Sequence, residues 1–257
     1  MYPTVATYWN NTFAAHAISS YNESVLILNH EAYEKMWSDA REYNAALKSE
    51  PGRFEPTEEM EERYRSCLNV DGSGTIGYVD IPKIKVSLPL FHGTSESVLS
   101  SAIGHIDWSS LPTGGEGTHC VISGHRGLPG VKLLTDLDEL REGDNFSLTV
   151  LDEVLTYEVD QIRTVEPDQI SDLAIEEGKD YCTIVTCTPY GINTHRLLVR
   201  GHRTATANNG KVISEAVVID PLIVAAVLAT PLLFILLLAV LFKKPESAKK
   251  NGERRRT

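Results

Sequence analysis

The chain has 257 residues, of which 42% are hydrophobic. This composition is sufficient for a packed core and excludes an intrinsically disordered protein. The formal net charge is −11, but residues 243–257 carry seven Lys and Arg against two Glu, which leaves about −16 on residues 1–242. Such an acidic main body argues against nucleic acid as a partner.

The N-terminal part of the sequence predicts helices. The first 20 residues hold no Lys or Arg and no long apolar run, so they do not look like a secretory signal, and we expect any such segment to precede Met1. Apolar side chains at helical spacing predict an amphipathic helix over residues 31–47, and residues 58–65 predict a second, shorter one. We therefore assign residues 1–70 to a helical region.

From Thr75 onward, short β-rich runs alternate with Gly, Pro and Asp turns, a pattern typical of a single barrel or sandwich. The runs at 146–151 and 155–159 form a predicted hairpin, because only a few residues separate them. The predicted strands are 76–81, 120–122, 146–151 and 155–159 (the hairpin), 182–187 and 196–200. Residues 71–203 are the predicted all-β domain.

The C-terminal part predicts a membrane anchor. Residues 221–242 carry no charge, and 22 such residues match the length of a bilayer-spanning helix, which we place at 217–242. Residues 204–216 form a polar linker, and the positive-inside rule puts the basic tail at 243–257 in the cytoplasm. The acidic domain would then face outward. A buried core helix with a solvated basic tail is the alternative, and the apolar run is long for it.

Four cysteines occur at spacings that fit neither a CxxC metal site nor a small disulfide scaffold. Cys120 and Cys182 fall inside apolar strand-like runs, where we expect them to pack as small hydrophobic side chains. No metal ion or cofactor is predicted.

Cys187 and His125 each stand where a predicted strand ends. The strand at 182–187 runs into a Pro/Gly turn, and the strand at 120–122 leads to a histidine framed by glycines. A thiolate is a nucleophile, and a nearby imidazole can protonate a leaving group. Arg196 lies nine residues after Cys187 in a strand that would pair beside it, where a guanidinium can stabilise a carbonyl oxygen that gains negative charge.

Each of these residues alone also fits a structural interpretation. A cysteine at a strand end can be a packing residue, and a histidine in a loop is often only solvated. Their joint occurrence favours catalysis. His195 is predicted to face the opposite side of its strand from Arg196, and we assign the other six histidines to surface or packing positions.

Two strings and the C-terminal anchor resemble the class C, pilin-polymerising sortases. The strings are Ile122-Ser123-Gly124-His125 and Thr186-Cys187-Thr188-Pro189-Tyr190-Gly191-Ile192-Asn193-Thr194-His195-Arg196-Leu197. The resemblance implies an eight-stranded sortase β-barrel with N-terminal helices and one C-terminal transmembrane helix. It also implies that Cys187 is the nucleophile, His125 the general acid and Arg196 the stabiliser of substrate or oxyanion.

The resemblance further implies a substrate. Sortases cut an LPxTG-like sorting signal between Thr and Gly, hold the Thr as a thioester on the cysteine, and pass it to an amine, which for class C is a pilin lysine. An alternative with the same chemistry is a housekeeping sortase that joins surface proteins to a cell-wall precursor amine. A third interpretation, a membrane-tethered barrel for adhesion or assembly, would leave Cys187 inert.

The chain departs from the class C pattern at one point. Class C members usually carry an Asp-Pro-aromatic lid between the N-terminal helices and the barrel, and this chain lacks that tripeptide. The nearest substitute is Glu50-Pro51-Gly52-Arg53-Phe54. Our hypothesis is that Glu50 or Phe54 covers the cysteine pocket in its place.

Two further motifs are interpreted as structural. Residues 69–80 space their oxygens like a calcium loop, but extended chain follows instead of a helix, so we predict a turn into the first strand. Residues 111–115 read Leu-Pro-Thr-Gly-Gly and lack the residue that a sorting signal has between Pro and Thr, so we predict a loop without signal function. The motifs of serine hydrolases, zinc proteases and nucleotide-binding proteins are absent from the sequence.

Overall fold

The computed structural model describes residues 2–50, 54, 56–128 and 131–205, together with Ala229 and Phe234, and for residues 2–8 the backbone alone. The helices within this part of the chain are α1 (Tyr2–Leu26), α2 (His30–Ser49), α3 (Glu58–Ser66) and the short α4 (Glu96–Leu99). The strands are β1 (Thr75–Ile81), β2 (Val86–His92), β3 (Ile103–His105), β4 (Thr118–Ser123), β5 (Asn145–Val150), β6 (Glu153–Val165), β7 (Asp180–Thr188) and β8 (His195–Arg203).

The eight strands close into a barrel in the order β1-β2-β3-β4-β7-β8-β6-β5. Two neighbouring pairs are parallel, β2 with β3 and β4 with β7, and the other pairs are antiparallel. The predicted eight-stranded all-β barrel is therefore confirmed. The predicted hairpin is confirmed as β5 and β6, which pair from Val150 opposite Glu153 onward.

The two predicted helices correspond to α2 and α3, and α1, β2 and β3 are elements that the sequence pattern does not predict. Each predicted helix begins at a side-chain cap. Asn29 accepts a hydrogen bond from the Ala32 N–H at 2.8 Å, and Thr57 accepts one from the Met60 N–H at 3.3 Å. These caps satisfy backbone donors that the first helical turn leaves without partners.

Helix α1 packs against the barrel through Ile18 and Tyr21, which form a buried cluster with Tyr78 of β1. The Tyr21 hydroxyl donates to the Ile76 carbonyl oxygen at 2.6 Å and accepts from the Leu151 N–H at 2.7 Å. The side chain is 1% exposed, and burial raises the pKa of Tyr21, so the hydroxyl remains a hydrogen-bond donor. Tyr21 thus joins α1 to the start of β1 and to the β5–β6 turn.

Helix α2 is fixed to the barrel through the segment at 111–115. Asn44 donates to the Leu111 carbonyl oxygen at 3.0 Å and to Thr113 Oγ1 at 2.9 Å, and its own oxygen accepts from the Leu111 N–H at 2.8 Å. Leu111 is fully buried and Thr113 is 8% exposed. This Leu-Pro-Thr-Gly-Gly segment therefore forms a buried contact between α2 and the barrel.

The segment at 69–80 leads from α3 into β1. The Asn69 oxygen accepts from the Gly74 N–H at 3.1 Å, and the Asp71 carboxylate accepts from the Ser73 N–H at 2.9 Å. Both side chains therefore stabilise the turn that precedes Thr75.

The predicted membrane helix at 217–242 lies outside the described residues, except for Ala229 and Phe234. Among the residues that are described, no helix combines the length and the apolar character needed to cross a bilayer. The basic tail and most of the linker also lie outside the described part of the chain.

Replacing Asn44 with Ala should lower the free energy of unfolding by about 2–4 kcal/mol, because it leaves the buried Leu111 amide and carbonyl without partners. Urea unfolding followed by circular dichroism measures the change. Asn145→Ala, at an exposed position of β5, is the control and should cost less than about 0.5 kcal/mol. Equal midpoints for the two variants would contradict the assigned role of Asn44.

Candidate active site

The pairing of β4 with β7 brings His125 level with Cys187. These strands are parallel, and Ser123 pairs with Val185 at the end of β4. The pairing continues past the strand, because the Gly124 N–H donates to the Val185 carbonyl oxygen at 3.2 Å. Extending the same register by two residues places His125 beside Cys187 and on the same face of the sheet.

The pairing of β7 with β8 places Arg196 beside Cys187, so that His125, Cys187 and Arg196 form a row across the sheet. Cys187 is the direct antiparallel partner of Arg196, and Thr188 is the partner of His195. Directly opposed residues have Cβ atoms about 5 Å apart, within reach of an arginine side chain. The strand pairing therefore places Arg196 beside Cys187, and the register extended past the end of β4 places His125 on the other side of Cys187. His195 faces the other way, as predicted.

Gly124 and Gly127, which flank the His125 region, lie close to neighbouring side chains. A Cβ atom on Gly124 would lie 2.6 Å from Ile103 Cδ1 and 2.8 Å from Leu134 Cδ1, so any other residue there would require these two side chains to shift. Gly127 has a positive φ of 79°, which disfavours other residues, and its Cα faces the ring of Tyr190. The glycines that frame the histidine in the sequence thus have a steric cause.

The row lies on the face of the sheet that points away from the barrel core. Val185, two residues before Cys187, packs in a small separate cluster with Val121 and Leu198, whereas Ile184 and Val199 belong to the main core. A pocket of about 160 Å³ opens over this outer face and reaches Arg196. Its apolar lining includes Ile106, Trp108, Val165, Leu173, Val185 and Leu198.

His125 and Arg196 differ in the hydrogen-bond partners of their side chains. His125 is 28% exposed, and its Nε2 atom has no hydrogen-bond partner among the described residues, although the Glu96 carboxylate lies 3.6 Å away. Arg196 donates to the carbonyl oxygens of His195 at 3.1 Å and Asn193 at 3.3 Å. The His125 Nε2 atom is thus buried beside the Glu96 carboxylate, and the Arg196 guanidinium is oriented by backbone carbonyl oxygens just before and at the start of β8.

The four cysteines differ in exposure. Cys187 is partly exposed, whereas Cys67, Cys120 and Cys182 are 3%, 2% and 0% exposed. Burial raises the pKa of Cys67 to about 11 and raises that of Cys182 well above its ordinary value, so these thiols resist ionisation. Cys187 is thus the accessible nucleophile of the described residues.

The two predicted lid residues lie at the end of α2 and near the pocket. Glu50 follows α2 directly, and its N–H donates to the Leu47 carbonyl oxygen at 3.2 Å. Phe54 is 45% exposed, and its ring centroid is 5.3 Å from that of Trp108, which lines the pocket.

Sequence reasoning did not identify the pocket or Glu96. Glu96 lies in a four-residue helix, which leaves no periodic pattern to recognise. The uncharged, β-branched-rich run at 181–186 indicates a strand that is buried on both faces, as β7 is, but this run does not locate the pocket.

Comparisons with known proteins agree with the resemblance seen in the sequence. Residues 79–204 match the sortase domain family. The solved structure of sortase C1 from Streptococcus agalactiae is 50% identical with a TM-score of 0.73, and the match covers 75% of this chain and all of that one. Sortase C from Streptococcus pneumoniae, whose structure was described with regard to catalysis and pilin substrate specificity, is 44% identical with a TM-score of 0.67, covering 74% and 97%.

Sortase D from Bacillus subtilis is 30% identical over 130 residues, which are 49% of this chain and 63% of that protein. The chain thus spans less than two thirds of this curated relative. The full-length match to the solved structures at up to 50% identity nevertheless shows the family: the chain belongs to the sortases, and its structural relatives are sortases of class C.

A thiol-directed methanethiosulfonate should modify Cys187 before any other cysteine, because only this thiol is exposed in the folded protein. Mass spectrometry of the intact domain and of its tryptic peptides locates the label. Cys187→Ala should remove the fast label, and urea should expose the remaining three thiols. Fast modification of Cys67, Cys120 or Cys182 in the folded protein would contradict the assignment.

Proposed function

We propose that this chain is a cysteine transpeptidase that cleaves LPxTG-like sorting signals between Thr and Gly and transfers the acyl group to an amine. The observation that carries this proposal is the strand register, which pairs Cys187 with Arg196 of β8 and, extended two residues past the end of β4, aligns Cys187 with His125. These three side chains supply a nucleophile, a proton donor and a cation around one carbonyl group.

In the proposed reaction the Cys187 thiolate attacks the carbonyl carbon of the signal threonine. The oxygen gains negative charge, which the Arg196 guanidinium stabilises. His125, as imidazolium, gives its proton to the departing glycine nitrogen, the C–N bond breaks, and a thioester remains on Cys187. An acceptor amine then attacks the thioester carbonyl and loses a proton to His125, the C–S bond breaks, and the Cys187 thiolate and the His125 imidazolium are restored.

The outer-face pocket supports a peptide substrate. It ends at Arg196 and is lined mainly by apolar side chains, so the apolar residues of a sorting signal can be buried there while the scissile bond lies beside Cys187. Positioning a peptide by contacts away from the reacting bond is an efficient way to reduce the entropy cost of the reaction.

For the acceptor we propose a pilin lysine, which would make the enzyme a pilus-assembly sortase. The support is the similarity to class C structures, one of which was described with pilin specificity. The alternative acceptor is a cell-wall precursor amine. Product analysis separates the two, because a pilin acceptor yields a ladder of covalently linked subunits and a wall acceptor yields single wall-linked proteins.

We further propose that the catalytic domain works at the outer face of the cell membrane, anchored by the apolar segment at 217–242 with the basic tail in the cytoplasm. The support is the charge pattern of the sequence, which follows the positive-inside rule. An outward location matches a substrate that is assembled or anchored on the cell surface.

Incubating the domain with a sorting-signal peptide should give a mass increase equal to the acyl part of the peptide, located on Cys187. Cys187→Ala should abolish both the adduct and the transfer to an added amine while the circular dichroism spectrum stays unchanged. Transfer that survives this substitution would refute the enzymatic proposal and favour the adhesion or assembly interpretation.

We also propose that the segment containing Glu50 and Phe54 restricts access to the pocket, since the Phe54 ring contacts Trp108 at the pocket wall. Deleting residues 50–55, or replacing Phe54 with Ala, should raise the rate of sorting-peptide hydrolysis about two- to tenfold, by removing an aromatic contact of about 1 kcal/mol. Phe13→Ala, at a partly exposed position of α1, is the control. An unchanged rate in both lid variants would rule out the lid.

A further inference from the structure

Arg126, the residue after His125, carries a buried guanidinium that the proposed reaction does not use. Its side chain is 8% exposed. It forms an ion pair with Asp138 at 2.6 Å, donates from Nε to the Thr135 carbonyl oxygen at 3.0 Å, and donates from Nη1 to Thr188 Oγ1 at 3.4 Å. A charge this well buried needs such partners, and each of its three nitrogens has one.

Two of the three partners belong to a segment that is anchored in the barrel core. Leu134, Leu137 and Leu140 are fully buried members of the main core cluster. The same segment contacts the histidine backbone directly, because the Leu134 N–H donates to the His125 carbonyl oxygen at 3.2 Å. Through Arg126 the chain just after His125 is therefore attached to a rigid part of the molecule.

The third partner, Thr188, is the residue after Cys187. A matching link exists on the other side, where the Thr186 hydroxyl donates to the Gly124 carbonyl oxygen at 2.8 Å in a buried position. The residues before the pair, Gly124 and Thr186, are thus joined to each other, and so are the residues after it, Arg126 and Thr188. Both links lie outside the reacting pair and leave its side chains free.

We propose that Arg126 is a positioning residue that fixes the separation of His125 from Cys187 by linking the end of β4 and the core-anchored segment at 134–140 to Thr188. The inference rests on the proposed roles of His125 and Cys187. Arg126 does not line the peptide pocket, so its loss should slow acyl transfer without weakening peptide binding.

The link requires the shape of arginine as well as its charge. The guanidinium is planar and presents donors in three directions, so one side chain can serve a carboxylate, a carbonyl oxygen and a hydroxyl together. A lysine ammonium ion on a flexible stem can keep the ion pair with Asp138 but cannot reproduce this fork. A displacement of about 1 Å between reacting groups is enough to reduce a rate by about 100-fold.

The test compares Arg126→Lys, Thr188→Val and Thr188→Ser in hydrolysis and transfer assays with a sorting-signal peptide. Arg126→Lys should lower kcat by about tenfold or more and change KM by less than about threefold. Thr188→Val removes the acceptor hydroxyl and should lower kcat about fivefold, whereas Thr188→Ser keeps the hydroxyl and should restore kcat to within about twofold of wild type. Arg65→Lys, in an exposed ion pair with Glu61, is the matched control and should leave both constants unchanged.

The outcomes separate the two proposals. An inactive wild-type domain would refute the proposed function itself, before any variant is compared. If the wild type is active, an unchanged kcat in Arg126→Lys or an equal kcat in the two Thr188 variants would refute the positioning role alone. A rise in KM with unchanged kcat would refute it as well. If Arg126→Lys proves unfolded by circular dichroism, the Thr188 pair decides, because those variants retain the buried guanidinium and its two core contacts.

Discussion

The parallel pairing of β4 with β7 is the constraint on which the site depends. Parallel strands end at the same edge of a sheet, so the chain continues from Ser123 at the end of β4 to His125 as β7 continues from Val185 to Cys187. The antiparallel β8 begins at that same edge and supplies Arg196 as the partner of Cys187. Backbone pairing thus brings residues from three separate segments of the chain to one edge of the sheet.

The two faces of these strands have separate tasks. The inner face of β7 carries Cys182 and Ile184 into the barrel core, where close packing holds the strand in place. The outer face carries Val185 and Cys187 towards the pocket. Because a cysteine on the inner face is buried and one on the outer face is partly exposed, the same strand contains one inert thiol and one accessible thiol. The links at Thr186 and Thr188 then hold the outer face in register with His125.

Most of the fold was predictable from the sequence where the pattern was strong. Alternating or continuous apolar runs identified six strands, and the amphipathic spacing around Trp37 and Tyr43 identified α2. The missed elements have physical reasons: β2 contains Pro89, which argues against a strand, and β3 has only three residues, one of them Gly104. Helix α1 lacks a regular apolar face and docks through a few side chains, with Ile18 and Tyr21 packed against Tyr78 of β1. The three candidate site residues were predictable because strand ends and framing glycines are local features. The pocket, Glu96 and the contacts of Arg126 were not, because they arise only when distant segments meet.

Disulfide trapping tests the central geometry most directly. In a His125→Cys variant, mild oxidation should join the new thiol to Cys187, because residues level on neighbouring strands lie within disulfide range. Peptide mass spectrometry would show residues 118–128 linked to residues 180–188. Ser123→Cys lies one side-chain repeat away, about 7 Å along the strand, and should not form this link. A cross-link from Ser123→Cys but none from His125→Cys would mean that the histidine and the cysteine are not level, and the proposed catalytic row would be wrong.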